Sequence, residues 1–330
     1  MKAVLLDEFG GPERLRLGDV PSPAPADGQV RIRVAATSVN RPDIVQREGH
    51  YPPPKGESEI LGLEVAGTID ELGPGVSGWE VGDRVMTLVG GGGYAEYALA
   101  YADHLLCVPD SMSNAEAACV CETYITAYLN VFRLGGLRDG QNVLLHGGGG
   151  GVNTAAIQLC RRLTPDARIM VTASAGKLER VRGLGAHLVV DYRAQDFAEA
   201  VREFTDRAGA HVILDHIGAT YLARNMKALG VGGTLVIIGV MGGAKAELNL
   251  ALMMVKRQRI IGSVLRSRPR AEKAGIIDDF RSTVLPLLAE RRIVPLLHAE
   301  LPLAEVRRAH EMMEAGEHFG KIVLRVAETG

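Results

Sequence analysis

Residues 146–160 read HGGGGGVNTAAIQLC, and few folds accommodate such a stretch. A short apolar strand, Asn142 to His146, runs into it, and Val152 to Leu163 leaves it with Val152, Ala155, Ala156, Leu159 and Leu163 on one helical stripe. A strand, a glycine loop and a helix in that order present backbone N–H groups and the positive end of a helix to a diphosphate. On the pattern G-x-G-x-x-G the three places fall on Gly148, Gly150 and Asn153. Gly148 is expected to make the turn, and Gly150 to let the backbone approach a pyrophosphate. The third place normally lets helix and strand pack closely. Asn153 there is expected to shift the helix slightly outward, or to turn its side chain to solvent or to the ligand. A flexible glycine linker is disfavoured, because linkers do not usually interrupt a βαβ unit.

A site that prefers NAD carries Asp or Glu at the end of the second strand, about twenty residues further on. Here Val171-Thr172-Ala173 ends in Ser174, and Lys177 and Arg180 follow. No carboxylate repels a 2′-phosphate, while a hydroxyl and cations can receive one, so NADPH is the expected cofactor. The alternative is that Lys177 and Arg180 form an ordinary solvated helix face.

Around this loop the chain changes rhythm. From about residue 115, helix and strand alternate: Arg168 to Ala173, Lys177 to Gly185, Leu188 to Val190, His211 to Asp215 and Thr234 to Gly239. That alternation predicts an α/β, doubly wound parallel sheet. The first third reads as short strands separated by turns. Gln29 to Asn40 places Val30, Ile32, Val34 and Ala36 on one face, and Val65 to Leu72 closes on Gly73-Pro74-Gly75. A helix, Leu303 to Ala315, and a strand, Gly320 to Val326, are expected to rejoin that first domain. A chain of 330 residues with 47% hydrophobic residues is long enough for two cores. The expected division is residues 1–120, a parallel-sheet domain over 121–270, and a return segment over 271–330.

The 37 basic and 39 acidic residues leave a formal net charge of -2, and the longest basic cluster is Lys256 to Arg259. Neither this balance nor any aromatic and basic stripe favours nucleic acid as a partner. No apolar run reaches signal-peptide or membrane-spanning length, which makes the cytoplasm the expected location. Cys119 and Cys121 form C-x-C with no second pair, and with Cys107 and Cys160 they suggest neither a disulfide scaffold nor a structural zinc site.

Several stretches, in order, carry a family resemblance. They are ATSVNRPD (36–43), QREGHYPP (46–53), LGLEVAG (61–67), VGDRV (81–85), GGGYAEY (91–97), TAY (126–128), TAAIQL (154–159), LRSR (265–268) and GKIVL (320–324). The chain resembles the zinc-independent quinone oxidoreductase branch of the medium-chain dehydrogenase/reductase superfamily, and most of all its p53-inducible subgroup. The resemblance implies a GroES-like β-rich catalytic domain with an inserted Rossmann domain, and a homodimer joined through sheet edges near Thr234 to Gly239 and Ile260 to Val264. It assigns Asn40 and Thr126 to the nicotinamide, Gly150, Gly151 and Val152 to the pyrophosphate, and Ser174, Lys177 and Tyr192 to the adenosine 2′-phosphate. Gly239, Met241, Ser267 and Arg268 would close over the nicotinamide and ribose, and Lys321 would meet the cofactor from the returning segment.

Zinc-dependent relatives have a Cys, a His and a third ligand where this chain has Asp43, Gly62-Leu63-Glu64 and Glu122, so a catalytic zinc is not expected. Without a Lewis acid, negative charge on the acceptor oxygen must be met by hydrogen-bond donors, which favours quinones and conjugated enones over simple ketones. Tyr51 is the candidate donor, or else a wall of the pocket, with Asn40 as the second catalytic candidate. Asp43 and Glu64 read as structural carboxylates, and His146 as a satisfied core histidine. The expected activity is NADPH-dependent quinone reduction, by two electrons or by one with release of semiquinone. The alternatives are an enone or alkenal reductase on the same scaffold, or a low-turnover NADPH-binding or RNA-binding protein.

Overall fold

The computed structural model describes residues 1–326; the last four residues of the expected return segment lie outside it. The chain divides into two compact units, Met1–Ile125 with Leu265–Gly330, and Thr126–Val264. The junctions thus fall after Ile125 and Val264 rather than at residues 120 and 270.

In the first unit, Gln29–Val39 is the central strand. Val30, Ile32 and Val34 are at most 1% exposed, as the alternation requires. From Val30 to Thr37 it pairs antiparallel with Glu64–Leu72. On its other edge Tyr97–Tyr101 takes the first half and Lys321–Arg325 the second, Ile322 lying opposite Val39. The returning strand therefore brings Lys321 beside the end of Gln29–Val39. Arg84–Leu88, Leu105–Cys107 and Leu297–Pro302 complete the sheet.

One element departs from the reading of this region as strands and turns alone: Arg41–Arg47 is an α-helix. Asn40 stands at its N-cap, Pro42 lies within the first turn, and the Asp43 carboxylate receives the Asn40 N–H at 2.8 Å. The signal was present in N-R-P-D, an acidic residue three places after an asparagine with proline at the start of the helix.

The second unit is a six-stranded parallel sheet ordered Leu188–Asp191, Arg168–Ala173, Asn142–His146, Ala210–Asp215, Leu229–Ile237 and Arg259–Gly262. In chain order this is 3-2-1-4-5-6. The direction of winding reverses between Asn142–His146 and Ala210–Asp215, where a ligand-binding crevice opens beyond the strand ends. Leu229–Ile237 is paired on both sides, so Thr234 to Gly239 does not form a sheet edge; Arg259–Gly262 does. Among the described residues no helix is long and apolar enough to cross a membrane.

Candidate functional site

At the switch point the glycine run divides its labour. Gly147 has φ +79°, so it rather than Gly148 is the left-handed turn residue, and a Cβ on it would lie 2.6 Å from Cε1 of His216. A Cβ at Gly148 would fall 2.4 Å from Val171 Cγ1, which makes this position the close contact with the neighbouring strand. One at Gly149 would meet the Lys177 chain at 2.4 Å. Gly150, the N-cap of the helix Gly151–Leu163, has an ordinary φ of -79°, and a Cβ there would meet nothing nearer than Gly147 O at 3.6 Å. Neither backbone geometry nor internal packing requires glycine at 150. The N–H groups of Gly151, Val152 and Asn153 belong to the first helical turn, where no carbonyl one turn back is available.

Asn153 does not behave as expected. It is 2% exposed, and with Ala156, Ile157 and Cys160 it lies on the buried face of the helix, while Val152 and Leu163 are only half-buried. Its amide is directed neither to solvent nor outward. Nδ2 donates to His146 O at 2.5 Å and to Gly147 O at 3.2 Å.

Beneath the loop, His146 bonds Thr172 Oγ1 at 3.0 Å and Asn225 Oδ1 at 2.7 Å, and Asn225 donates to Asp215 at 3.1 Å. Asp215 also receives Ile217 N–H and Gly218 N–H. Burial pushes the His146 imidazole down to about 3, so it is the satisfied, neutral core histidine that its position suggested.

Ser174 follows the end of Arg168–Ala173, and Tyr192 N–H reaches Ala173 O at 3.4 Å, so Ser174 and Tyr192 sit on adjacent strand ends. Lys177 closes the turn from Ser174 and extends along Gly149; burial lowers its pKa, and the charge of Arg180 adds to the effect. Gly239 packs on His216, and Met241, 57% exposed, donates its N–H to His216 O. His216, which carries no motif in the sequence, thereby touches both the Gly147 turn and the 239–241 segment. Thr126 is half-buried in the helix Cys121–Tyr128 and binds Asn130 through its carbonyl.

In the first unit the candidates form a buried polar group. Glu64 is fully buried. Ser38, Asn40 and Lys321 donate to its Oε1 at 2.6, 3.0 and 3.0 Å, and Glu122 N–H donates to its Oε2 at 2.8 Å. Lys321, 4% exposed, also donates to Val39 O at 3.2 Å and to Asn40 Oδ1. An ammonium has three hydrogens, and all three are engaged. The ammonium is an internal counter-ion of Glu64 and a support for Asn40. The Asn40 amide is likewise occupied, Nδ2 by Ser38 O and Glu64, Oδ1 by Lys321.

Asp43 receives Asn40 N–H, Gly62 N–H and the Tyr94 hydroxyl. Behind Tyr94 stands His310, with Arg47 Nη1 3.3 Å from its Nδ1. Arginine only donates, so Nδ1 accepts, Nε2–H points at Tyr94, and Tyr94 O–H points at Asp43. The guanidinium closes this chain to proton movement; it orients Asp43.

Tyr51 is half-buried with the Arg266 guanidinium 5.1 Å from its ring centroid. Arg266 is held by Gly90 O and by Gln46 Oε1 at 2.8 Å. Burial, and then the charge of Glu122, raises the Tyr51 pKa. The Glu122 carboxyl itself is pushed up to about 8, first by burial and then by Glu64. Gln46, Arg266 and Glu122 were not among the site residues expected from sequence. Ser267 is exposed, and Arg268 pairs with Glu272.

A GroES-like unit and a switch-point nucleotide fold within one chain define an oxidoreductase of the dehydrogenase/reductase class. Residues 26–110 match the family model described as alcohol dehydrogenase GroES-like domain, and 184–324 match zinc-binding dehydrogenase. Human quinone oxidoreductase is 33% identical over 98% of this chain and 97% of its own. Human synaptic vesicle membrane protein VAT-1 homolog-like is 30% identical over 100% of this chain and 82% of its own. The crystal structure of Escherichia coli quinone oxidoreductase complexed with NADPH superposes with a TM-score of 0.89 at 26% identity, covering 99% of this chain and 100% of that one. The chain belongs to the quinone oxidoreductase branch of the medium-chain dehydrogenase/reductase superfamily.

Proposed function

We propose that the protein is an NADPH-dependent oxidoreductase that reduces quinones without a metal. The observation that carries this reading is Gly150: a glycine that its own fold does not require, at the head of a helix at the switch point. Lys177 across Gly149, and Ser174 in place of a carboxylate, suit a 2′-phosphate; on the next strand Asp191 turns a carboxylate oxygen to Arg193 N–H at 3.0 Å. NADPH, when bound, supplies a hydride. The chain supplies the rest. Tyr51 donates a hydrogen bond from its hydroxyl to the acceptor oxygen, Arg266, itself held by Gln46, lies over its ring, and Glu122 keeps a proton at neutral pH. Asp43 and Glu64 have donors on their oxygens, and the Lys321 ammonium provides positive charge beside Glu64, which supports the metal-free reading. The edge strand Arg259–Gly262, with Leu250, Met254 and Val255 exposed by 69, 72 and 72%, is the surface through which two copies would pair.

The test is titration with NADPH and NADH followed by nicotinamide fluorescence, then addition of 1,4-benzoquinone, 9,10-phenanthrenequinone or an enone. NADPH should bind roughly tenfold or more tightly than NADH, a difference of about 1.4 kcal/mol, and quinone should reoxidise it. Equal affinities would remove the 2′-phosphate argument, and turnover of the enone alone would assign the site to alkene reduction.

A further inference from the structure

Asn153 occupies the place where the dinucleotide pattern calls for glycine, and its side chain is buried under the loop rather than displaced from it. Nδ2 holds two consecutive carbonyls, His146 O and Gly147 O, the last of the strand and the first of the turn. The amide can adopt only one orientation there. Reversed, its oxygen would face two carbonyl oxygens. In the orientation it has, Oδ1 is buried without a donor among the described residues. The side chain of His146, whose carbonyl is held, is fixed from the other side by Thr172 and Asn225, and Asn225 is anchored on Asp215. One polar chain thus runs beneath both strands of the switch point and ends in the Asn153 amide.

We propose that Asn153 is a positioning residue whose amide clamps the Gly147 turn and so fixes the N–H groups of Gly149, Gly151 and Val152 for a diphosphate. The clamp does by hydrogen bonds what a glycine at 153 does by close packing. The clamp acts on a turn whose shape needs glycine at 147, 148 and 149, since the turn, the Val171 contact and the Lys177 contact each demand one. The inference rests on the NADPH reading above and adds a residue to it.

The experiment compares wild type with Asn153→Gly, Asn153→Ser and Asn153→Asp. Two ligands are titrated: NADPH, and adenosine 2′-monophosphate, which carries the ribose phosphate but no diphosphate. Amide hydrogen exchange is followed across residues 146–153 without ligand. Asn153→Gly should bind NADPH about tenfold more weakly and exchange faster in the loop, with adenosine 2′-monophosphate affinity unchanged. Asn153→Ser, able to reach one carbonyl, should fall between. Asn153→Asp, which sets oxygen against oxygen, should be at least as weak as the glycine variant. Unchanged or tighter NADPH binding in Asn153→Gly would overturn the clamp, as would a parallel loss of both ligands, which marks a general folding role. If wild type binds neither ligand, the cofactor reading itself fails, and a clamp for a diphosphate fails with it.

Discussion

Glu64 and Glu122 are the same residue type, a hydrogen bond apart, with opposite surroundings. Glu64 receives four donors; the Glu122 carboxyl stands in a buried setting beside that charge and rises to about 8. The unfolded chain loses the Glu122 proton near 4.5, while the folded chain keeps it to about 8. Between those values the native state holds the extra proton, so stability falls as pH rises through the window. Glu122→Gln should therefore gain on wild type from pH 5 to pH 9, by on the order of 2 kcal/mol in urea unfolding. A difference independent of pH would mean that Glu122 ionises as an ordinary surface carboxyl. The neighbouring Tyr51→Phe keeps the ring under Arg266 and removes only the hydroxyl. It should lower kcat/KM for quinone about tenfold or more and leave NADPH affinity alone; an unchanged rate would make Tyr51 a wall of the pocket.

At the scale of the element, glycines of equal rank in the sequence have unequal duties. Gly148→Ala forces a methyl against Val171 and should cost about 1–3 kcal/mol of stability. Gly150→Ala meets nothing nearer than Gly147 O, an ordinary contact at 3.6 Å, and should leave the melting temperature unchanged while weakening NADPH binding. Thermal melts and cofactor titration of the two variants check this, and loss of stability in Gly150→Ala would show that the space over residue 150 belongs to the protein. The strand, loop and helix were legible because period and punctuation are local, and Ser174 and Lys177 because they follow the second strand in sequence. The turn residue was not: which glycine takes positive φ depends on where the strand ends and on the His216 ring, and that ring follows the strand Ala210–Asp215, far along the chain. Arg266 was hidden for the same reason, since its partners Gln46, Gly90 and Tyr51 meet it only through the fold. Asn153 could be read as an exception to a pattern, but its amide's two carbonyl partners could not.

Across the whole molecule, each unit is built over one buried histidine linked to one buried aspartate through a neutral intermediary: His146, Asn225 and Asp215 in one, His310, Tyr94 and Asp43 in the other. Burial shifts the members of each pair in opposite directions, the histidines down to about 3 and the aspartates up to about 6. Below pH 6.5 the unfolded chain protonates its histidines and the native state does not, so acid removes stability until about pH 3. Between about 6 and 3.8 the native aspartates hold protons that the unfolded chain lacks, which adds stability as pH falls. Within each unit the two effects offset one another over that interval, and below it only the histidine remains. Asp215→Asn removes the offset in Thr126–Val264 and leaves the other unit intact. Hydrogen exchange of peptides from each unit should then show the Thr126–Val264 unit losing stability from pH 6.5 downward by about 1.4 kcal/mol per pH unit, with the other unit following its wild-type profile. The same pH slope in variant and wild type would sink the pairing, whatever fixed loss of stability the substitution brings.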